Sequence, residues 1–491
     1  MSAVAVGFVV YLLVILVVGI VTARLTKTLG DFILAGRRLG PWVVAFSERA
    51  SGESGWMLLG LTGLAYATGL GDPSGAKLEP ALWTAVGGVA GIAASWFLVA
   101  RRLRSETERL GALTLPRFFE LTFRGRDPAM RLVATGIIAF CFAFYVAAQF
   151  DAAGKALLQT FGWPHWCGVL AAAVIVVFYT AMGGFAAVAW TDFVQGWLML
   201  ITLVVLPMVV LAQLGGPAGL AETFEAKDAS NLLTTTGGRS GWTLVAGILG
   251  GLGVGLGYVG QPHLLARYMS IRSTDHIKTA RSVAIVWAVL AYGGAVLMGL
   301  VALAKYGPDR FADVERMMPA LAEDVFPDWF AGILICGALA AMMSTADSQL
   351  LVTTSSVSED VYHRSINPRA TQRQLIWLSR GATLVIGLAA IALAQLPRSI
   401  FRKVLFAWAG LGAAFGPALV LTLWWPRTSR NGVLAGMIVG FATVILWDNW
   451  PPMALYSMIP AFIAATLAVV IGSLASPEPR DEDRNRPPHE L

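Results

Sequence analysis

Charge is scarce in this chain. Aspartate, glutamate, lysine and arginine make up 13% of its 491 residues, while 56% are hydrophobic. That is about half the charged share of a soluble domain, and it excludes a soluble enzyme and a disordered protein. Cysteine is scarcer still. Cys141, Cys167 and Cys336 all lie in apolar segments with no C-x-x-C spacing. They read as small buried residues, which excludes a disulfide-stapled secreted domain and a thiolate metal site. HExxH, GxSxG and P-loop motifs are missing too, so neither a membrane hydrolase nor an ATP-driven pump has support and no catalytic constellation is expected. The first apolar run, 3–23, has no basic n-region and no small-residue cleavage site, so it is expected to be retained as a first span.

What the chain has in abundance is long apolar runs. Mean hydropathy is +0.67, and stretches of about 20 apolar residues, the length of a spanning helix, recur from end to end. They are too long and continuous for the strands of a membrane β-barrel. After 3–23 the candidate spans are 41–70, 79–100, 129–159, 164–183, 188–213, 241–265, 280–304, 329–356, 375–396, 401–425, 431–448 and 453–475. Glycine, at 52 residues, suits close helix approach in lipid. The formal charge of +6 needs no nucleic acid to explain it, because lysine and arginine concentrate on the cytoplasmic side of a polytopic protein. With the N-terminus outside and the C-terminus inside, the thirteen-span count puts more than twice as many basic residues in inside loops as in outside ones. The acidic segment 309–328 then falls outside. The domain expectation is one transmembrane unit, 1–475, followed by a charged, proline-rich tail, 476–491, disordered in the cytoplasm.

Three spans carry chemistry. The second holds Ser47-Glu48-Arg49-Ala50-Ser51-Gly52-Glu53-Ser54-Gly55 between two apolar arms. Charges at membrane depth are costly and mark function, and the glycines and serines predict an interrupted helix whose freed carbonyls suit a hard cation. The alternative is a continuous helix with an Arg49–Glu53 pair at i,i+4. The seventh span, Gly247 to His263, repeats glycine and ends in Gln261-Pro262-His263. It predicts a second break, the alternative being a small-residue packing face. Two interrupted helices at corresponding positions of two halves point to an inverted-repeat transporter, with repeats 41–213 and 241–425 and flanking helices 3–23, 431–448 and 453–475. In the ninth span Ser344, Asp347 and Ser348 share a helical face with Ala341, and Thr345 lies beside it. Hydroxyls and a carboxylate on one stripe fit a small cation that takes oxygen ligands. Asp192 opens the sixth span as either a helix cap or an ion ligand, and Gln149 and Asp151 are expected at the cavity or its entrance. Tyr145 and Tyr258 suit the surroundings of a small solute. His263 reads as a hydrogen-bonding residue at a helix end.

The stretches DFILAGRRLGPW (31–42), SGW (54–56), YTAMGGFAAVAWTDFVQ (179–195), LGYVGQPHLLARYMSIRS (256–273) and AAMMSTADSQLLVTTSSVSEDVY (340–362) resemble the sodium:solute symporters, most closely the sodium/proline branch. The resemblance runs from about 31 to 430. It implies an all-α polytopic protein of the LeuT-type fold, with ten core helices in two inverted five-helix repeats and flanking helices. It implies a sodium site built from the carbonyls of Ala50, Glu53 and Ala341 and the hydroxyls of Ser344 and Thr345. A further sodium site in some members matches Asp192, Ser344, Asp347 and Ser348. The solute is expected near Ser54, Gly55, Trp56, Tyr145, Tyr258 and Gln261.

This sequence departs from that branch at four places. Gly52 stands where the branch has an aspartate important for sodium, Glu53 where it has methionine, Glu48 and Arg49 where it has small residues, and Val254 where it has tryptophan. Glu48, Arg49 and Glu53 sum to one negative charge. Either Glu53 does the lost aspartate's work, or it carries a proton. The expected function is secondary active transport at the plasma membrane, of the bacterial inner-membrane kind, with Na+ as coupling ion, no other cofactor, and a small organic solute such as proline as cargo. The alternative is a proton-coupled symporter of the same fold. A sensor with a transporter-like input module is disfavoured, because the residues after 476 are too few for a signalling domain. No oligomeric state follows from the sequence.

Overall fold

The computed structural model describes residues 3–23, 28–74, 79–123, 128–395, 400–451, 453 and 455–476. The tail expected from 476 onward lies outside the described residues apart from Ser476. Among the described residues the chain is all helix, with one isolated bridge, Leu39 to Ile271. This is the economy lipid imposes, since a helix satisfies its own backbone N–H and C=O groups.

The order is α1 (Ala3–Ala23), α2 (Pro41–Gly55), a π-helical stretch Trp56–Leu61, and α3 (Thr62–Thr68). Next come α4 (Ala81–Ser95), continued through Trp96–Ala100 into α5 (Arg101–Arg109), then α6 (Leu115–Thr122), α7 (Ala129–Phe161) and α8 (His165–Gln213). The second half runs α9 (Gly241–Leu256), a 3-10 turn Gly257–Gly260, α10 (Pro262–Ser270), α11 (Ile277–Tyr306), α12 (Met317–Val325), α13 (Asp328–Ser355), α14 (Gln372–Ala394) and α15 (Ile400–Trp424). Two more helices follow, α16 (Arg430–Asn449) and α17 (Met458–Ala475).

Among the described residues ten helical segments are long and apolar enough to cross a membrane. The expected spans 3–23, 41–70 and 164–183 are helical as well, though shorter or broken. The fifth and sixth are one helix in trace, bent at Gly184 (φ 62, ψ −170), where Phe32 packs at 2.9 Å from the position a Cβ would take. Only glycine adopts that backbone freely.

Both expected breaks occur, and both are narrower than the sequence suggested. Helix α2 runs unbroken through Glu48, Arg49 and Ala50 and is interrupted at Ser54 (φ 42, ψ −171). A serine in that region is strained, and such strain clusters at functional sites. The second break is confined to Gly257–Gln261, where Gln261 is extended (φ −86, ψ 107) and Pro262 opens α10. The glycines before it do a different job. Gly251 and Gly255 on α9 lie against Gly87 and Gly91 on α4, so closely that a Cβ on Gly91 would stand 2.5 Å from the Gly255 Cα. For residues 247–256 the small-residue packing face is therefore the correct account.

Helices α13 and α15 are buried on nearly every side, whereas α14, α16 and α17 turn most of their apolar surface outward. An apolar helix buried all round belongs to the interior of the bundle. Helix α2 packs between α8, α11 and α13, which sets the two breaks and the polar stripe of α13 side by side.

Candidate functional site

The stripe on α13 meets the backbone of α2 just before its break. The Ser344 hydroxyl bonds the Ala50 carbonyl at 3.0 Å and the Ala341 carbonyl at 3.1 Å. The Thr345 hydroxyl bonds the Ser51 carbonyl at 3.0 Å. Ala50, Ala341, Ser344 and Thr345 are all buried without exposed surface. Two hydroxyls and three carbonyls thus gather at the contact of two helices, uncharged oxygens of the kind that replace the hydration shell of a hard monovalent or divalent cation. Glu53, expected in this set through its carbonyl, is turned elsewhere: that carbonyl accepts the Trp56 N–H across the break.

The Glu53 side chain belongs to a buried charge cluster. Arg49 Nη1 donates to Glu53 at 2.5 Å, Arg49 Nη2 pairs with Glu48, and Nε donates to Glu48 at 2.6 Å. The i,i+4 pair read from the sequence is therefore present within one intact helical turn. Around it Tyr258 donates to Glu53 at 3.2 Å and lies 2.6 Å from the Tyr292 hydroxyl. Trp96 Nε1 reaches Glu48 at 3.2 Å, and Tyr268 reaches it at 3.3 Å. Two carboxylates share one guanidinium, and tyrosine and indole donors supply the remaining hydrogen bonds that a buried charge requires.

Beside this cluster the residues expected around a solute converge. The Trp56 ring lies tilted against Tyr292 and Phe401, with centroids 6.0 and 6.3 Å away, and its indole N–H bonds the Gly52 carbonyl. Gln149 accepts the Gly55 N–H freed by the first break, at 3.0 Å. Gln261 donates to the Trp408 carbonyl, and the Trp408 ring packs edge-on against Tyr258 at 4.7 Å and Tyr145 at 6.5 Å. The Ser54 hydroxyl accepts the Trp56 N–H. The Tyr145 hydroxyl, Gln149 Nε2 and Gln261 Oε1 are buried with no hydrogen-bond partner among the described residues. Buried polar atoms are normally satisfied, and these three stand near the two breaks. His263 was expected as a hydrogen-bonding residue at a helix end; its ring packs edge-on against Phe142.

The further sodium positions are brought together only in part. Asp192 is no helix cap; it sits inside α8, accepting from Ser47 at 2.6 Å and Ser51 at 3.1 Å. Arg267 of α10 occupies the same cluster. It donates to Asp192 at 3.0 Å, Ser51 at 2.8 Å, Ser47 at 3.1 Å and the His263 carbonyl at 2.7 Å, and it also bonds Ser348. Asp347 is bound instead by Tyr179 at 2.7 Å and by Ser348 at 3.0 Å. A fixed cation, with no exposed surface, therefore stands among the residues that the resemblance assigns to a mobile one.

Above the first break a vestibule of about 700 Å³ is lined by Gly60, Asp151, Lys155, His165, Glu315 and Phe401, among others. Asp151, expected at the cavity entrance, pairs there with Lys403 at 2.6 Å and His165 at 3.0 Å. Glu315 ties Lys155 at 2.5 Å to the α15 start, accepting from Phe401 N at 3.3 Å.

Arg267, Trp408 and Tyr292 were missed by reading the sequence. A lone arginine in LLARYM looks like an inside-loop charge, and a tryptophan or tyrosine in an apolar span looks like an interface anchor. The one available signal was the i,i+4 spacing of His263 and Arg267 just after the second break.

Comparison with known proteins bears on the family and the fold. The sequence profile of the sodium:solute symporter family matches residues 32–440. A sodium/proline symporter of Escherichia coli is 39% identical, with 96% of this chain and 93% of that protein covered. A high-affinity proline transporter of Bacillus subtilis is also 39% identical, over 94% of this chain and 96% of the relative. Among solved structures, a Na+-coupled sialic acid symporter in an outward-open state superposes with a TM-score of 0.83 at 19% identity, over 98% of this chain and 99% of that one. At that identity the likeness speaks to the fold, which is the LeuT-type fold the sequence resemblance implied.

Proposed function

The chain belongs to the sodium:solute symporter family, and from that premise we propose that it carries proline or a closely similar small amino acid into the cell with sodium as the coupling ion. It is a multi-pass membrane transporter and not an enzyme. The observation that carries the sodium reading is the meeting of Ser344 and Thr345 with the carbonyls of Ala50, Ser51 and Ala341. A cation there ties α2, at its break, to α13. Binding therefore favours whichever bundle arrangement holds those helices together, and the solute fills the adjoining space between the breaks, satisfying Tyr145, Gln149 and Gln261. Alternating access follows when the ion and solute leave on the other side. At a potential of 100 mV the inward movement of one charge supplies about 2.3 kcal/mol before any concentration gradient is counted.

The Glu48–Arg49–Glu53 cluster is the proposed charge compensation for the carboxylate absent at Gly52. With one guanidinium between two carboxylates it keeps one negative charge beside the cation. The ten core helices fall into repeats 41–213 and 241–425, each opening on a broken helix, and the whole is proposed to sit in the plasma membrane with its N-terminus outside.

The test is counterflow of labelled amino acids into proteoliposomes holding the purified protein, with and without sodium at two pH values. Proline uptake that rises with sodium at both pH values is expected. Uptake that follows pH and ignores sodium would replace this reading with proton coupling through Glu53.

A further inference from the structure

Away from the transport path, a cavity of about 510 Å³ opens where α5, α6 and the α15–α16 corner meet. Its basic members are Arg101, Arg102 and Arg109; its one acid, Glu106, is already paired with Arg109 at 2.8 Å. Arg101 and Arg102 are exposed, and so is Arg427 just past the corner.

The pocket is a built one. The Trp424 indole is pinned by a hydrogen bond to the Leu98 carbonyl at 2.8 Å, and the Arg102 guanidinium lies 3.6 Å over its ring while donating to the Leu423 carbonyl at 3.0 Å. A guanidinium carries five N–H donors, so this fixed fork keeps most of its capacity for an incoming acceptor. The corner itself is held by Thr428, which bonds the carbonyls of Leu421 and Trp425.

The rim says what the acceptor belongs to. Phe97 and Leu98, one helical turn before the arginines, are 58% and 41% exposed, and Trp424 is 47% exposed. On a membrane protein that is a lipid-facing band ending at a basic edge. Arg281 repeats the pattern close by, with its guanidinium 3.9 Å over the Phe97 ring. A soluble anion needs the charge alone, whereas an anionic phospholipid needs the charge and the apolar rim together.

We propose that this cavity is a binding site for the phosphate headgroup of an anionic phospholipid, held by Arg101 and Arg102, with the acyl chains lying along Phe97, Leu98 and Trp424. It goes beyond the transport reading and does not depend on which solute is carried. By its position at the end of α15, an occupied site braces the helix that carries Trp408.

The full-length protein, purified in detergent, is examined by native mass spectrometry with phosphatidylglycerol or with phosphatidylcholine of the same chains. The expected result is retained phosphatidylglycerol in preference to phosphatidylcholine, and a fall in that retention of about fivefold per arginine in Arg101→Gln/Arg102→Gln. Trp424→Leu keeps both charges and removes the platform; it is expected to fold and to lose a smaller part of the retention. Equal retention of the two lipids by the wild type, or unchanged phosphatidylglycerol retention in both variants, overturns the proposal. Glycerol 1-phosphate and inorganic phosphate at millimolar concentration are the competing arms. Failure to displace the lipid supports the site, and displacement by either shows a soluble-anion site and overturns it.

Discussion

At the scale of single residues, the interior of this transporter is organised by two arginines with no exposed surface, Arg49 and Arg267. A buried charge with its partner removed costs about 3–5 kcal/mol, and removing both members costs far less. Asp192→Asn is therefore expected to lower thermal stability in detergent strongly, and Asp192→Asn/Arg267→Gln to recover most of it. No recovery in the double variant would mean that the pair is not the unit. The sodium prediction rests on neutral oxygens. Ser344→Ala or Thr345→Ala removes one ligand and is expected to raise the sodium concentration for half-maximal uptake by about tenfold, which corresponds to about 1.4 kcal/mol. An unchanged sodium response in both would remove the site from α13. For the relocated carboxylate, Glu53→Gln is expected to weaken sodium activation and Gly52→Asp/Glu53→Met to restore part of it. The structure admits that exchange: the atoms nearest a Cβ at Gly52 are those of Leu264 at 3.4 Å and Arg49 Nη2 at 3.6 Å, so the returned acid finds the same guanidinium. A fully sodium-sensitive Glu53→Gln protein would end the relocation idea.

At the scale of elements, the sequence showed where helices stand and where two of them break, because lipid forces long apolar runs and because glycine, serine and charge inside such a run have few other uses. It also put Ser344 beside Ala341, where the structure has it, since that spacing is a property of one helix. It did not show Arg267 among Ser47, Ser51, Asp192 and Ser348, because those partners come from three other helices and no spacing along one chain segment records such a meeting. Nor did it separate the two uses of glycine around α9. The structure does separate them, and the distinction is measurable. Gly91→Val on α4 drives a side chain into Gly255 of α9 and is expected to abolish recovery of monodisperse protein by size-exclusion chromatography. Gly293→Ala on α11, where no atom lies within 4 Å of the new Cβ, is expected to be neutral or to stabilise by about 0.5–1 kcal/mol through the helix preference for alanine. Equal tolerance at both positions would contradict the close α4–α9 contact.

At the scale of the whole molecule, one pair of positions decides which way the bundle faces. Helix α13 with its π-helical continuation, Asp328 to Ile366, is an unbroken 39-residue helix apolar enough to cross a membrane, so Asp309 before it and Pro368 after it are expected on opposite sides whatever the total count. Position 318, which the sequence alone offers as an outside loop, is useless as a probe: Met318 is wholly buried in α12. Asp309 and Pro368 are both exposed. In a protein with Cys141, Cys167 and Cys336 replaced, Asp309→Cys is expected to react with an impermeant thiol reagent added to intact cells, and Pro368→Cys only after permeabilisation. The reverse pattern would invert the orientation drawn from the basic loops. Labelling of both from one side would break the single-crossing assignment of α13, and with it the pairing of the two five-helix halves. The expected pattern also sets the side to which the vestibule opens. It puts the charged vestibule of Asp151, Lys155 and Glu315 on the side of Asp309, so that solute from outside reaches Trp56 and Tyr145 past the Asp151–Lys403 pair, and it leaves the Arg101–Arg102 cavity facing the cytoplasmic leaflet.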